Sequence, residues 1–233
     1  MIRQRVVLLR HGRTAYNAGG RFQGQLDTEL DELGRLQASV AAEELVHLKP
    51  TVLIASDSTR AADTGAAIAT HTGLELRLDA RLREIHLGRW SGLTRDEARQ
   101  QFPDEYAAWM SGHDVARGGG ETYTEVGGRA VAAIEEALPA IGSSGTLVAV
   151  THGGTARALA AETMTKTSVI TSCPLTSSTT MSRACLSAAA WAAASASSMD
   201  RGDAVTGAAF RQLCGRADTG CGVPLRVAQP LPG

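Results

Sequence analysis

The chain has 233 residues, with 23 basic and 24 acidic side chains and a net charge of −1, so no global basic field points to a nucleic-acid partner. No run approaches the ~18 apolar residues of a membrane span. The four-residue run VVLL at 6–9 stops in an arginine, too short for a signal-peptide core, so a cytoplasmic protein is expected.

In chain order, residues 5–9 (RVVLL) read as a strand, and 31–47 follow with Leu33, Leu36, Val40 and Leu45 near helical spacing. A second strand is predicted at 51–55 (TVLIA), then an alanine-rich helix over 58–72 and a shorter strand at 74–78. Residues 94–110 place Ala98, Phe102, Tyr106 and Trp109 at helical intervals, with Pro103 as a point of interruption. Residues 122–138 form another amphipathic pattern through Val126, Ala130, Ile134 and Leu138, and 146–150 (TLVAV) is a strong strand. Strands alternating with helices predict a three-layer α/β/α fold around a mostly parallel sheet.

The texture changes after Glu162. Residues 1–162 contain 13 glutamates and 163–233 contain none, while all four cysteines (Cys173, Cys185, Cys214 and Cys221) fall in the second segment. That segment is rich in Ser, Thr and Ala and has little regular patterning, so it buries little apolar surface against its conformational entropy. The expected organisation is a domain over 1–162 and an atypical, poorly ordered low-complexity tail over 163–233. The cysteines lack CxxC spacing and nearby clustered histidines, which argues against zinc.

Two histidines directly follow strong strands: His11 in Arg10-His11-Gly12, and His152 in Thr151-His152-Gly153-Gly154. In a parallel sheet the carboxyl ends of the strands share one edge, where ligands bind, so the two can meet in space. A lone histidine after a strand is most often a polar loop residue. A pair of them, with Arg10 beside one and Arg60 at a helix start, favours a functional site. A His-His-carboxylate metal set with Glu84 is the rival, but two arginines would repel a dication and suit the oxygens of a phosphate. No GxxxxGK[ST] loop is present. The site is therefore expected to bind phosphate without a metal or other cofactor.

The segments RHGRTAYN, RFQGQLDTELDELGRLQA, SDSTRAADT, LREIHLGRWSGL, GGGETYTEV and VAVTHGG, in this order from about residue 5 to 162, resemble the histidine phosphatase (phosphoglycerate-mutase-like) superfamily. GRFQGQLDTEL and LREIHLGRWSGLT resemble above all its members that act on glucosyl-3-phosphoglycerate. The resemblance implies a phosphomonoesterase acting on a small phosphorylated metabolite. His11 would be the nucleophile, Arg10, Arg60 and His152 would hold the phosphoryl oxygens, and Glu84 would be the general acid and base. It also places Asn17, Gln23 and Gly24 in the phosphate or substrate pocket, and allows a homodimer.

The local chemistry agrees with parts of this. Arg10 and Arg60 oppose protonation of His11, as a nucleophile needs. Leu82, Ile85, Leu87 and Trp90 are expected to raise the Glu84 pKa by desolvation. Residues 118–122 (GGGET) read equally as a hinge with an N-cap or as a loop closing over substrate. His86 and His113 are candidates to face the cleft, His47 and His71 read as solvated, and Arg157 reads as either cleft-lining or exposed. A phosphoglycerate mutase is the alternative within the same fold. The abrupt change near residue 162 also suggests a replaced reading frame, with an inactive product that only binds phospho-ligands as a second alternative.

Overall fold

The computed structural model describes residues 4–163 and 169–171. The strands are β1 (Arg5–Arg10), β2 (Val52–Ala55), β3 (Leu76–Leu78), β4 (Thr146–Thr151) and β5 (Val169–Thr171). The helices are α1 (Ala15–Ala18), α2 (Glu32–Val46), α3 (Thr59–Thr72), α4 (Arg95–Gln101), α5 (Pro103–Met110), α6 (Tyr123–Ala137) and α7 (Gly153–Thr163). All strand pairs are parallel, in the order β3-β2-β4-β1-β5.

The apolar runs of β1, β2 and β4 are uninterrupted because both faces of the sheet are covered. Val6, Leu8, Ile54, Leu147 and Ala149 pack with Ala130, Ala133 and Ile134 of α6 and Leu159 of α7. Their neighbours Val7, Leu9, Leu53, Val148 and Val150 pack with Ala41 and Leu45 of α2 and Ala61 and Ile68 of α3. Each buried Leu, Ile or Val contributes about 1.5–3 kcal/mol relative to leaving it exposed. The result is the expected three-layer α/β/α arrangement.

The expected interruption at Pro103 occurs: Phe102 leaves helical geometry and Pro103 opens α5 at a position where its missing N–H costs nothing. The strand expected over 74–78 shortens to three residues at the sheet edge. A further strand, β5, lies in the segment where composition suggested none, and pairs with Val6, Val7 and Leu8 of β1. Otherwise the expectations for residues after Glu162, including the cysteines and the proposed change of reading frame, fall outside the described residues apart from the end of α7.

A third cluster stands beside the sheet. Trp90 is fully buried among Phe22, Phe102, Tyr106 and Trp109, with ring centroids 5.5–6.3 Å away. Ile85 and Leu87 join it, which anchors the loop that carries Glu84.

Candidate active site

The register of β1 on β4 pairs Arg10 with Thr151, so His11 and His152 leave adjacent strands at the same level. The His11 backbone N–H donates to Thr151 O at 3.0 Å, and the two imidazole centroids are 5.0 Å apart. The helices that follow these strands, α2 and α7, cover opposite faces of the sheet. A crevice at the strands' carboxyl ends is the consequence of that reversal.

His11 is 4% exposed. Its Nδ1 lies 2.7 Å from Gly12 O, and a carbonyl only accepts, so Nδ1 carries the proton. Nε2 then holds a lone pair, and Arg60 Nε donates to it at 3.3 Å. Burial first, then His152, Arg10 and Arg60, hold the His11 pKa well below the usual imidazole value, so the ring is neutral. The backbone of residues 12–13 approaches Gly34 of α2 so closely that a Cβ on Gly12 would overlap the Gly34 carbonyl and a Cβ on Gly34 the Arg13 carbonyl.

Arg60, at the start of α3, is fully buried. Its Nη1 and Nη2 donate to Leu26 O at 2.7 Å and Gly24 O at 2.8 Å. Desolvation lowers its pKa, which Glu84 and Asp27 oppose. His152, also fully buried, places Nε2 2.9 Å from Ser56 Oγ, while its Nδ1 is buried without a hydrogen-bond partner. An unpartnered buried polar atom costs about 1–3 kcal/mol and marks a place for a ligand. Desolvation, followed by Arg60, Arg10 and Arg129, keeps His152 well below the usual imidazole pKa.

Both imidazoles therefore bind protons more weakly folded than unfolded. Unfolding takes up protons below pH ~6.5, so stability rises with pH up to that value and is level above it. The slope is about 1.4 kcal/mol per pH unit for each histidine, until its folded pKa is reached. Urea unfolding of the ligand-free protein across pH 5–8 checks this, and a stability independent of pH below 6.5 would contradict it.

Glu84 meets the N-terminus of α7. Its Oε2 accepts from Gly154 N at 3.0 Å, and Oε1 accepts from Thr155 N at 3.0 Å and Ile85 N at 2.9 Å. The expectation of a raised pKa is corrected here. Desolvation does push it up, but the amides of Gly154, Ile85 and Thr155, with His11, outweigh burial and leave it lowered. Glu84 is ionised in the free protein.

This seat requires Gly154, because a Cβ there would lie 2.5 Å from Glu84 Oε1. Gly154→Ala is expected to displace the carboxylate and cut turnover about 100-fold, the scale of a small misplacement of a reacting group. Steady-state kinetics beside a thermal melt check this; full activity would mean that the carboxylate has no fixed position.

The remaining candidates take varied positions. Gln23 is buried, and its Oε1 accepts from Thr14 Oγ1 at 2.9 Å and Thr28 Oγ1 at 2.6 Å, which leaves its amide nitrogen as the group that can donate. Gly24 holds φ +54° and presents its carbonyl to Arg60. Asn17 directs Oδ1 to Thr14 in a capping box at α1. Arg157 is exposed, with Nε on Gly153 O at 3.1 Å. A Cβ on Gly153 would lie 3.7 Å from Arg10 Nε and 4.0 Å from Arg157 Nη2, so the two guanidiniums flank the first residue of α7. His47, His71, His86 and His113 are all exposed. Residues 118–120 pack backbone against backbone on 86–90, with Gly88 and Gly118 at positive φ, and Thr122 caps α6. Among the described residues no group of three or more His, Cys, Asp or Glu is arranged to hold a metal, and no helix is long and apolar enough to cross a membrane.

Ser56 and Thr155 were not anticipated. Ser56 is the first residue after β2, with its N–H on Val150 O at 2.9 Å, and so reaches the same sheet edge as the two histidines. The strand-end position was a readable signal; Thr155 offered none.

Comparison with known proteins establishes the family. A glucosyl-3-phosphoglycerate phosphatase of Mycobacterium tuberculosis (strain H37Rv) is 44% identical over 165 residues, covering 68% of this chain and 74% of that protein. One from Mycolicibacterium vanbaalenii is 43% identical over 164 residues, covering 68% and 73%. The structure of a mycobacterial glucosyl-3-phosphoglycerate phosphatase in complex with VO3 superposes with a TM-score of 0.64 at 42% identity, over 69% of this chain and 81% of that one. The sequence model of the histidine phosphatase superfamily (branch 1) matches residues 6–198, which include both strand-end histidines, Arg60 and Glu84, and the chain belongs to that family.

Proposed function

We propose that the chain hydrolyses phosphate monoesters through a phosphohistidine on His11, and that its substrate is glucosyl-3-phosphoglycerate. The observation that carries the chemistry is the fixed tautomer of His11: Nδ1–H on Gly12 O, with the Nε2 lone pair turned to Arg60. Nε2 attacks phosphorus as the ester P–O bond breaks. Arg10, Arg60 and the Nδ1 side of His152 hold the equatorial oxygens. The positive charge that forms on the imidazole is stabilised by Nδ1–H···O of Gly12.

Glu84 gives a proton to the departing alkoxide. Being ionised in the free protein, it needs that proton from the substrate, whose monoanion carries one below a second pKa of about 6. A water then enters, Glu84 takes its proton, the hydroxide attacks phosphorus, the Nε2–P bond breaks to release inorganic phosphate, and the proton left on Glu84 passes to the departing phosphate, which restores the carboxylate.

The substrate assignment is supported by the mycobacterial relatives, whose names state that they act on this ester. The glycerate carboxylate is a second anion, and Arg157, across Gly153 from Arg10, is the cation we assign to it. Phosphate release from glucosyl-3-phosphoglycerate and from 3-phosphoglycerate tests the proposal. A higher kcat/KM for the glucosylated ester supports it; preference for 3-phosphoglycerate would overturn the substrate, and release from neither would overturn the activity.

A further inference from the structure

We infer that Arg129, acting with Glu121 and Gln25, is a positioning device for the general acid Glu84. The inference rests on the phosphohistidine reading above. The residues that lead to Glu84 have little regular structure beyond one 3-10 turn (Ala80–Leu82), so their carbonyls lack sheet partners. Side chains from elsewhere take all four carbonyls of residues 81–84. Arg129 Nη1 donates to Arg81 O at 2.6 Å and Arg83 O at 2.8 Å, and Nη2 donates to Glu84 O at 3.0 Å. Thr151 Oγ1 donates to Leu82 O, and Thr155 Oγ1 to Arg83 O, each at 2.8 Å. Gln25 Nε2 adds a second bond to Glu84 O at 3.0 Å.

The other donors of Arg129 go to one carboxylate. Nε meets Glu121 Oε1 at 2.8 Å and Nη2 meets Oε2 at 2.9 Å. All five guanidinium N–H groups are thus used, a pattern that only the planar fork of arginine provides. Glu121 in turn accepts from His86 N at 2.8 Å and Gln25 Nε2 at 3.4 Å, which closes the network on the far side of Glu84. The carboxylate of Glu84 is seated by α7, but its backbone is held by Arg129. A shift of the backbone would draw the acid away from the leaving oxygen without touching His11 or the phosphate cations. The GGGET loop and the middle of α6 thereby acquire a role: they carry Glu121 and Arg129 to the acid.

The test uses two esters that differ in their need for an acid. 3-Phosphoglycerate loses an alkoxide and requires protonation, whereas p-nitrophenyl phosphate loses a stabilised phenolate. kcat/KM reports phosphoryl transfer to His11 in both cases. Arg129→Lys keeps the charge but loses the fork, and is expected to lower kcat/KM about 100-fold for 3-phosphoglycerate and less than about 5-fold for p-nitrophenyl phosphate. Glu121→Gln is expected to show the same asymmetry more weakly, and is read instead if Arg129→Lys loses its cooperative melt. Equal losses for the two esters in a folded variant, or no loss, would overturn the inference. His11→Ala with turnover of both esters intact would instead defeat the underlying reading.

Discussion

Replacing His11 by alanine is expected to lower kcat/KM for phosphate release by on the order of 10⁵-fold, the scale on which loss of a catalytic nucleophile acts. The neighbours are committed elsewhere: His152 lies on Ser56 through Nε2 and is assigned to a phosphoryl oxygen through Nδ1, and Arg60 and Arg10 are cations without a lone pair to offer. The fold should survive. His11 is a buried imidazole kept neutral among Arg10, Arg60 and His152, so its removal relieves desolvation while opening a small cavity. A melting temperature equal to or above that of the parent protein is expected, since functional groups held in unfavourable surroundings are commonly paid for in stability. Kinetics with a slow alkyl ester and a thermal melt of the same preparation check both halves. Residual turnover within tenfold of the parent would remove His11 from the chemistry.

Glu84→Gln should show the second-largest effect, a fall of about 10²–10⁴-fold for esters with poor leaving groups. The amide cannot donate the leaving proton, and its NH2 would face either the Gly154 N–H or the Thr155 N–H, leaving a donor unsatisfied. That mismatch costs about 1–3 kcal/mol of stability. With p-nitrophenyl phosphate the first step needs no acid, but the second still needs a base, so phosphoenzyme should accumulate as a burst followed by slow turnover. No burst, with both steps slowed alike, would contradict the two roles given to Glu84.

The pH dependence follows from the same residue. The free carboxyl lies below its usual value and the free His11 imidazole well below its own, so between them the protein holds no proton to lend near neutrality. The reacting complex nonetheless needs one, shared between ester and carboxylate. kcat/KM for an alkyl ester is therefore expected to fall above the second phosphate pKa of about 6, although Glu84 itself titrates lower.

Much of this was legible in the chain. The runs VVLL and TLVAV, each followed one residue later by a histidine-glycine pair, locate β1, β4 and the sheet edge where His11 and His152 meet. SDSTR places Arg60 at a helix start, and Pro103 marks the break between α4 and α5. What was lost is non-local. The sign of the Glu84 pKa shift depends on amides 70 and 71 residues away, at Gly154 and Thr155, which no apolar neighbour in LREIHLGRW reveals. The Arg129 clamp is equally hidden, because an arginine on an amphipathic helix reads as solvated until the carbonyls of 81–84 are found beneath it. Asn17 shows the opposite case: Thr14 three residues before it spells a capping pattern, and its side-chain oxygen is used that way. The strand β5 had no pattern to announce it, since three residues carry no periodicity.

The measurement that bears most directly on the chemistry is a quench in alkali, milliseconds after mixing with p-nitrophenyl phosphate, followed by peptide mass analysis. Phosphohistidine formation requires a single alkali-stable phosphoryl group on the peptide containing His11, formed as fast as nitrophenolate is released and lost when the reaction is chased. A phosphoryl group on another residue, or turnover at full rate with His11 never modified, would contradict it.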